Sequence, residues 1–166
     1  MSRAPEYFKG AMSLFSTGVT VVTTPGRDGS GYGVTVSAFA SVSLQPQLIL
    51  ICLDNRSSGL EHFEPDCSFA VNLLREDQGE VADYFATTGT DRTQACKFYR
   101  SGDSGTPLLI DSLACIECAL TERFPGGDHT ILLGEVTEVH FEESTQEQRP
   151  LVYFRGRYWG INDPSP

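Results

Sequence analysis

Residues 33–46 read Gly-Val-Thr-Val-Ser-Ala-Phe-Ala-Ser-Val-Ser-Leu-Gln-Pro, short hydroxyl side chains alternating with small apolar ones. On a strand, Thr35, Ser37, Ser41 and Ser43 share one face, with Val34, Val36, Ala38, Ala40 and Val42 on the other. A face of such short groups lets a ligand approach the backbone, so that amides as well as hydroxyls can hold it. The plain alternative is an edge strand with a solvated Ser/Thr face. The apolar run Leu48–Leu53 follows, and then Asp54-Asn55-Arg56-Ser57-Ser58. With Asn55 or Ser57 as its cap, a helix over Ser57–Phe63 would open on N–H groups, two hydroxyls and a guanidinium, a set suited to phosphate. An ordinary capped helix without a ligand is the alternative there.

His129 follows Gly126-Gly127-Asp128 at the mouth of a hairpin, whereas His62 and His140 read as structural. Three other patterns mimic chemistry. Gly102-Asp103-Ser104-Gly105 has the look of a protease nucleophile, but the only upstream histidine, His62, lies in a helical setting unlike that of a general base. A polar loop is the better reading. Cys115-Ile-Glu-Cys118 has metal or dithiol spacing, yet it falls in a strand, where positions three apart face opposite ways. No second such pair follows it, and the five cysteines read as buried thiols. Gly29-Ser30-Gly31-Tyr32-Gly33 leads into a strand, so it is not a dinucleotide fingerprint, which must open a helix.

The elements that must position these groups follow from periodicity. Pro5–Phe15 predicts a short amphipathic helix, and Val19–Thr24 a strand that forms a hairpin with the segment after Gly33. Leu48–Leu53 predicts a strand buried on both sides, Ser68–Leu74 another, and Asp77–Phe85 a helix with Asp77 near its start. Thr87–Gly105 is polar and loop-like. Ser112–Phe124 and His129–Phe141 alternate well and form a second hairpin, and Leu151–Phe154 is the last strand. At least six strands with hairpins between them point to an antiparallel barrel with peripheral helices, not a doubly wound parallel sheet.

At 166 residues the chain is expected to be a single domain spanning 1–166. Its formal net charge of −10 argues against nucleic acid or an anionic membrane as partner, but leaves room for a local phosphate site. Met1–Gly10 carries Arg3, Glu6 and Lys9 with no apolar core, and no run is long enough to span a bilayer, so a cytoplasmic location is expected.

The ordered set of segments resembles the flavin reductase family with the FMN-binding split-barrel fold, the short reductases of two-component flavin-dependent monooxygenases. It comprises Phe15–Thr23, Gly33–Pro46, Cys52–Ser58, Phe69–Leu74, Gly127–Ile131 with Gly134–Val136, and Pro150–Tyr158. The resemblance implies a mainly β, antiparallel split barrel, a homodimer, and transfer of hydride from NADH or NADPH to FMN or FAD. It places Thr35, Val36, Ser37 and Ala38 at the isoalloxazine and ribityl chain. Ser41 and Asp54, Asn55, Arg56, Ser57 and Ser58 fall near the ribityl and phosphate end. Arg92 and Tyr158 join the flavin site, and His129 serves the nicotinamide side. Arg92 precedes Thr93 where the family more often has Phe. Reduced flavin would pass to a separate monooxygenase. A flavin carrier or sensor on the same barrel is the alternative, and an oxidase of the pyridoxamine-phosphate type ranks below it, because Lys and Arg total only 12.

Overall fold

The computed structural model describes residues 5–25, 31–87, 99–141 and 148–161. An exposed helix α1 (Pro5–Met12) leads into β1 (Thr17–Gly18) and β2 (Thr20–Thr24). Next come β3 (Tyr32–Val36), β4 (Phe39–Leu44), β5 (Gln47–Asp54), β6 (Ser68–Leu73) and α2 (Gly79–Ala86). The chain continues through β7 (Tyr99–Ser101), β8 (Pro107–Leu109) and the long pair β9 (Ala114–Gly126) and β10 (His129–Phe141). It ends in β11 (Val152–Phe154) and β12 (Arg157–Trp159), the latter a strand beyond the one expected.

Seven strands form one sheet in the order β3-β2-β6-β9-β10-β5-β4, and every neighbouring pair is antiparallel. Both expected hairpins are present, β2 with β3 and β9 with β10. One core cluster takes Val22, Tyr32 and Val36 from one end of the sheet and Ile49, Ile51 and Leu53 from the other, around Phe63, Phe69 and Leu132. The sheet therefore curls so that both of its ends serve a single core. Each large apolar side chain buried there contributes about 1.5–3 kcal/mol. A second cluster packs α2, through Ala82 and Phe85, on Val19, Val21, Leu109 and Leu151.

The 33–46 segment is not one strand. It breaks at Ser37–Ala38 into β3 and β4, which stand at opposite ends of the sheet, and the register slips again between Ser41 and Ser43. The four hydroxyls consequently do not share a face. Strand β5 is buried at Ile49, Ile51 and Leu53 and only half-buried at the residues between, because its second side opens on a cleft. The helix expected over Ser57–Phe63 is a single 3-10 turn, Leu60–His62, with no side-chain cap. Asp77 lies outside α2 and pairs with Arg75 at 3.0 Å.

The Gly102–Gly105 motif is a loop wrapped around a buried carboxylate. The amides of Asp103 and Ser104 donate to Glu117 at 2.9 and 3.1 Å, the Ser104 hydroxyl also bonds it, and His140 Nε2 lies 2.6 Å away. Burial alone would push the Glu117 carboxyl up, but these hydrogen bonds outweigh it and hold the group below its ordinary value. Cys115 and Cys118 belong to different core clusters, as opposite faces of β9 require, and burial pushes the Cys118 thiol up to about 12. Among the described residues, no helix is long and apolar enough to cross a membrane.

Candidate functional site

The break between β3 and β4 leaves Ser37 and Ala38 exposed beside two of three neighbouring clefts. The first, about 440 Å³, is lined by Asp54, Arg56, Ser57 and Ser58 on one side, by Phe85, Ala86 and Thr87 on another, and by Tyr32 and Val34. Ala86 is shared with a second cleft of about 210 Å³, whose walls are Thr35, Ser37, Tyr153, Tyr158 and Val19. Ser37 and Tyr153 are shared with a third, about 580 Å³, bounded by Ala38, Phe39, Leu50, Cys52, Met12 and Phe15. The sequence of chemistries runs from charge and hydroxyl, through hydroxyl and phenol, to a broad apolar space.

At the polar end Arg56 binds Asp54 through two of its three side-chain nitrogens, Nε at 3.1 Å and Nη2 at 2.7 Å. The Arg56 amide adds a bond to the same carboxylate at 2.8 Å. Arg56 thus holds the Asp54 carboxyl well below the usual carboxylate range. Asp54 is the last residue of β5, and the turn beyond it is stitched to the β9–β10 turn through Asn55. The Thr130 hydroxyl donates to Asn55 Oδ1 at 2.7 Å, and the Asn55 amide donates to the Asp128 carbonyl at 3.0 Å. No described residue hydrogen-bonds the Ser58 side chain or amide, which leaves both for a ligand, whereas the Ser57 hydroxyl already accepts from the Gly59 amide at 3.3 Å.

His129 is the register partner of Asp54 across β10 and β5, and its Nδ1 lies 2.7 Å from Asp128 Oδ1. It stands beside the polar end and lines none of the three clefts. Thr35 donates its hydroxyl to the Ala82 carbonyl at 2.6 Å, and the Val36 side chain is buried in the core, so Val36 can offer only its backbone. Ser37 lines the second and third clefts, and Ala38 the third. Ser41 sits exposed on β4 opposite Ile49, away from these walls. Tyr158 lines the second cleft, where burial first and Asp83 second push its phenol up to about 12. Arg92 lies outside the described residues.

Sequence reasoning missed Tyr32, Phe85, Tyr153 and Cys52. Tyr153 carried a usable signal: it is the β-register partner of Tyr158, their ring centroids 5.8 Å apart. Cys52 could have been found from the alternation of β5, since it lies on the side opposite Ile51. Burial pushes its thiol up. The donor set fits a flavin nucleotide: hydroxyls and a guanidinium suit a phosphate, Ser37 and Tyr158 suit a polyol, and the apolar cleft suits a flat ring system.

Residues 12–162 match the model of the flavin reductase like domain. The actinorhodin polyketide dimerase of Streptomyces coelicolor is 39% identical over 90% of this chain and 82% of its own length. The reductase subunit HsaB of a flavin-dependent monooxygenase from Rhodococcus jostii is 35% identical over 95% of this chain and 78% of its own. Among solved structures, the NADH:FAD oxidoreductase SgcE6 of Streptomyces globisporus, in complex with NAD and FAD fragments, superposes with a TM-score of 0.86 at 31% identity. That match covers 98% of this chain and 95% of the other. The chain belongs to the flavin reductase family.

Proposed function

We propose that this protein is an NAD(P)H-dependent flavin reductase that supplies reduced FMN or FAD to a separate monooxygenase. The family relation supports the reaction. The observation that carries the placement is the run of three clefts, polar at Ser57–Ser58 and apolar at Ala38–Cys52. When bound, the flavin supplies the hydride-accepting ring nitrogen, and no nucleophile is asked of the protein.

The roles of the chain's own groups follow from that placement. Ser57, Ser58 and Arg56 bind the phosphate, with Asn55 and Asp54 fixing the turn that carries them. Ser37 and the backbone of Val36 and Ala38 orient the ring and ribityl chain, Thr35 acts by anchoring α2, and Tyr158 closes the second cleft. Arg92 belongs to the flavin site by family resemblance, whereas Ser41, away from the cleft walls, is left outside it. His129 positions the nicotinamide nucleotide, oriented by Asp128 through Nδ1. Holding donor and acceptor in a near-attack arrangement is the main catalytic task here.

The assembly read from the same family is a split barrel that dimerises. Exposed Tyr7, Phe8, Val42, Leu44 and Phe141 supply apolar surface for a second copy. Aerobic NADH and NADPH consumption, measured with and without FMN, FAD or riboflavin, tests the reading. Flavin-dependent consumption is expected; consumption absent with every flavin would overturn it.

A further inference from the structure

The turn that carries Ser57 and Ser58 is anchored at its start, where the Ser57 amide donates to the Asp54 carbonyl at 2.9 Å. The bonds that span Ser58, Leu60 amide to Ser57 carbonyl and Gly59 amide to Ser57 hydroxyl, are longer at 3.2 and 3.3 Å. Asn55 and Asp54 fix the entry to the turn, and packing beneath it fixes the Ser58–Gly59 side. Gly59 is buried, and a Cβ added there would lie 1.9 Å from Cζ of Tyr32 and 2.0 Å from its hydroxyl oxygen. The backbone of the turn therefore runs directly over the phenol ring, an approach that only glycine permits. Three residues on, the His62 ring sits with its centroid 4.7 Å from that of Tyr32. Phe63, fully buried against Phe69, ties the end of the turn into the core.

Tyr32 itself is only 6% exposed and is held on β3 opposite Thr24. Its ring thus joins the sheet edge to the turn, and it lines the same cleft as Ser57 and Ser58. We propose that Tyr32, seated under Gly59, is the positioning residue that holds the Ser57–Ser58 turn at phosphate distance and so makes the site prefer phosphorylated flavins to riboflavin. The inference rests on the flavin reading above. A pre-set turn matters because hydroxyl and amide donors act on a phosphate only within hydrogen-bond reach, and a shift of about 1 Å forfeits most of that contact.

The experiment compares dissociation constants for FMN and riboflavin, by flavin-fluorescence titration, in wild type, Tyr32→Leu, Gly59→Ala and the double variant. Leucine lacks the ring atoms that an added Cβ at position 59 would meet. The preference for FMN is expected to fall by about tenfold or more in Tyr32→Leu, with riboflavin binding kept within about twofold. Gly59→Ala should show the same loss, and the double variant should be no worse than Tyr32→Leu alone, since the two act through one contact. Should Gly59→Ala fail to fold, Tyr32→Leu carries the comparison, with thermal melting as the check on its fold. An unchanged FMN preference in folded Tyr32→Leu, or an equal loss for both flavins, overturns the role of Tyr32 alone. A wild type that does not distinguish FMN from riboflavin overturns the phosphate placement itself, and this inference with it.

Discussion

The hydroxyl of Thr35 donates to the carbonyl of Ala82 at 2.6 Å, tying the edge strand β3 to the middle of α2. The contact explains how a residue read as a ligand-facing hydroxyl contributes to the site indirectly, because α2 ends at Ala86, the residue common to two of the clefts. Thr35→Val keeps the shape and removes the bond. A loss of about 0.5–1.5 kcal/mol is expected, seen as a melting temperature lower by roughly 2–4 °C per kcal/mol. Flavin affinity should weaken only modestly. An unchanged melting temperature would mean that α2 is held by its apolar face alone.

Ser58 is the cleaner of the two hydroxyls for testing the phosphate placement, since no described residue hydrogen-bonds its side chain. Ser58→Ala removes one contact to a charged acceptor, worth about 1.5–3 kcal/mol. FMN affinity should fall by tenfold or more, with riboflavin affinity unaffected. Equal affinities for FMN before and after the change would return the 57–59 turn to a structural role.

Glu117 is expected to contribute to the acid sensitivity of the fold. Its carboxyl titrates lower in the folded chain than in the unfolded one, so it adds stability above the ordinary carboxylate value, near ~4.3. That contribution disappears as pH falls through the folded value. Glu117→Gln turns an amide group toward the N–H donors of Asp103 and Ser104, and should cost about 1–3 kcal/mol at neutral pH. Melting temperature measured from neutral to acidic pH should fall less steeply in the variant than in wild type. Parallel curves would assign the acid sensitivity to other carboxylates.

His129 is expected to serve the nicotinamide nucleotide rather than flavin retention. His129→Ala should raise the apparent KM for the nicotinamide, lower kcat, or both, because misplacing the donor weakens the near-attack geometry. Its partly exposed ring makes little packing contribution, so flavin binding and melting temperature should hold. Lost flavin binding with an unaltered nicotinamide dependence would make it a flavin ligand, a role its register with Asp54 also permits.

Local pattern carried much of the architecture. The alternation of Ser112–Phe124 and His129–Phe141 was legible as a hairpin because strand period and glycine turn agree, and the β2–β3 pair followed from β-branched residues facing a turn. The break at Ser37–Ala38 was not legible, because neither residue forbids a strand; the crossing from one sheet end to the other is imposed by tertiary closure on a common core. The 57–63 helix failed for a similar reason. Tyr32, distant in sequence, packs under Gly59, and Phe63 is drawn into the core, which leaves room for one tight turn only. Of the site, the residues at Ser57–Ser58 and Ser37–Ala38 could be named from hydroxyl spacing and family resemblance. Tyr32 and Phe85 could not, since buried aromatics look alike in sequence whether they floor a cleft or fill a core.

In the proposed reaction, hydride passes from the nicotinamide to a flavin held by this chain. Anaerobic mixing of the protein and oxidised FMN or FAD with NADH or NADPH, followed by the absorbance of the oxidised flavin, measures that step without oxygen or a partner enzyme. Rapid bleaching that requires the protein, and slows in His129→Ala, is the expected result. Flavin that binds but stays oxidised with both nicotinamides would contradict the account and leave a flavin carrier or sensor in its place.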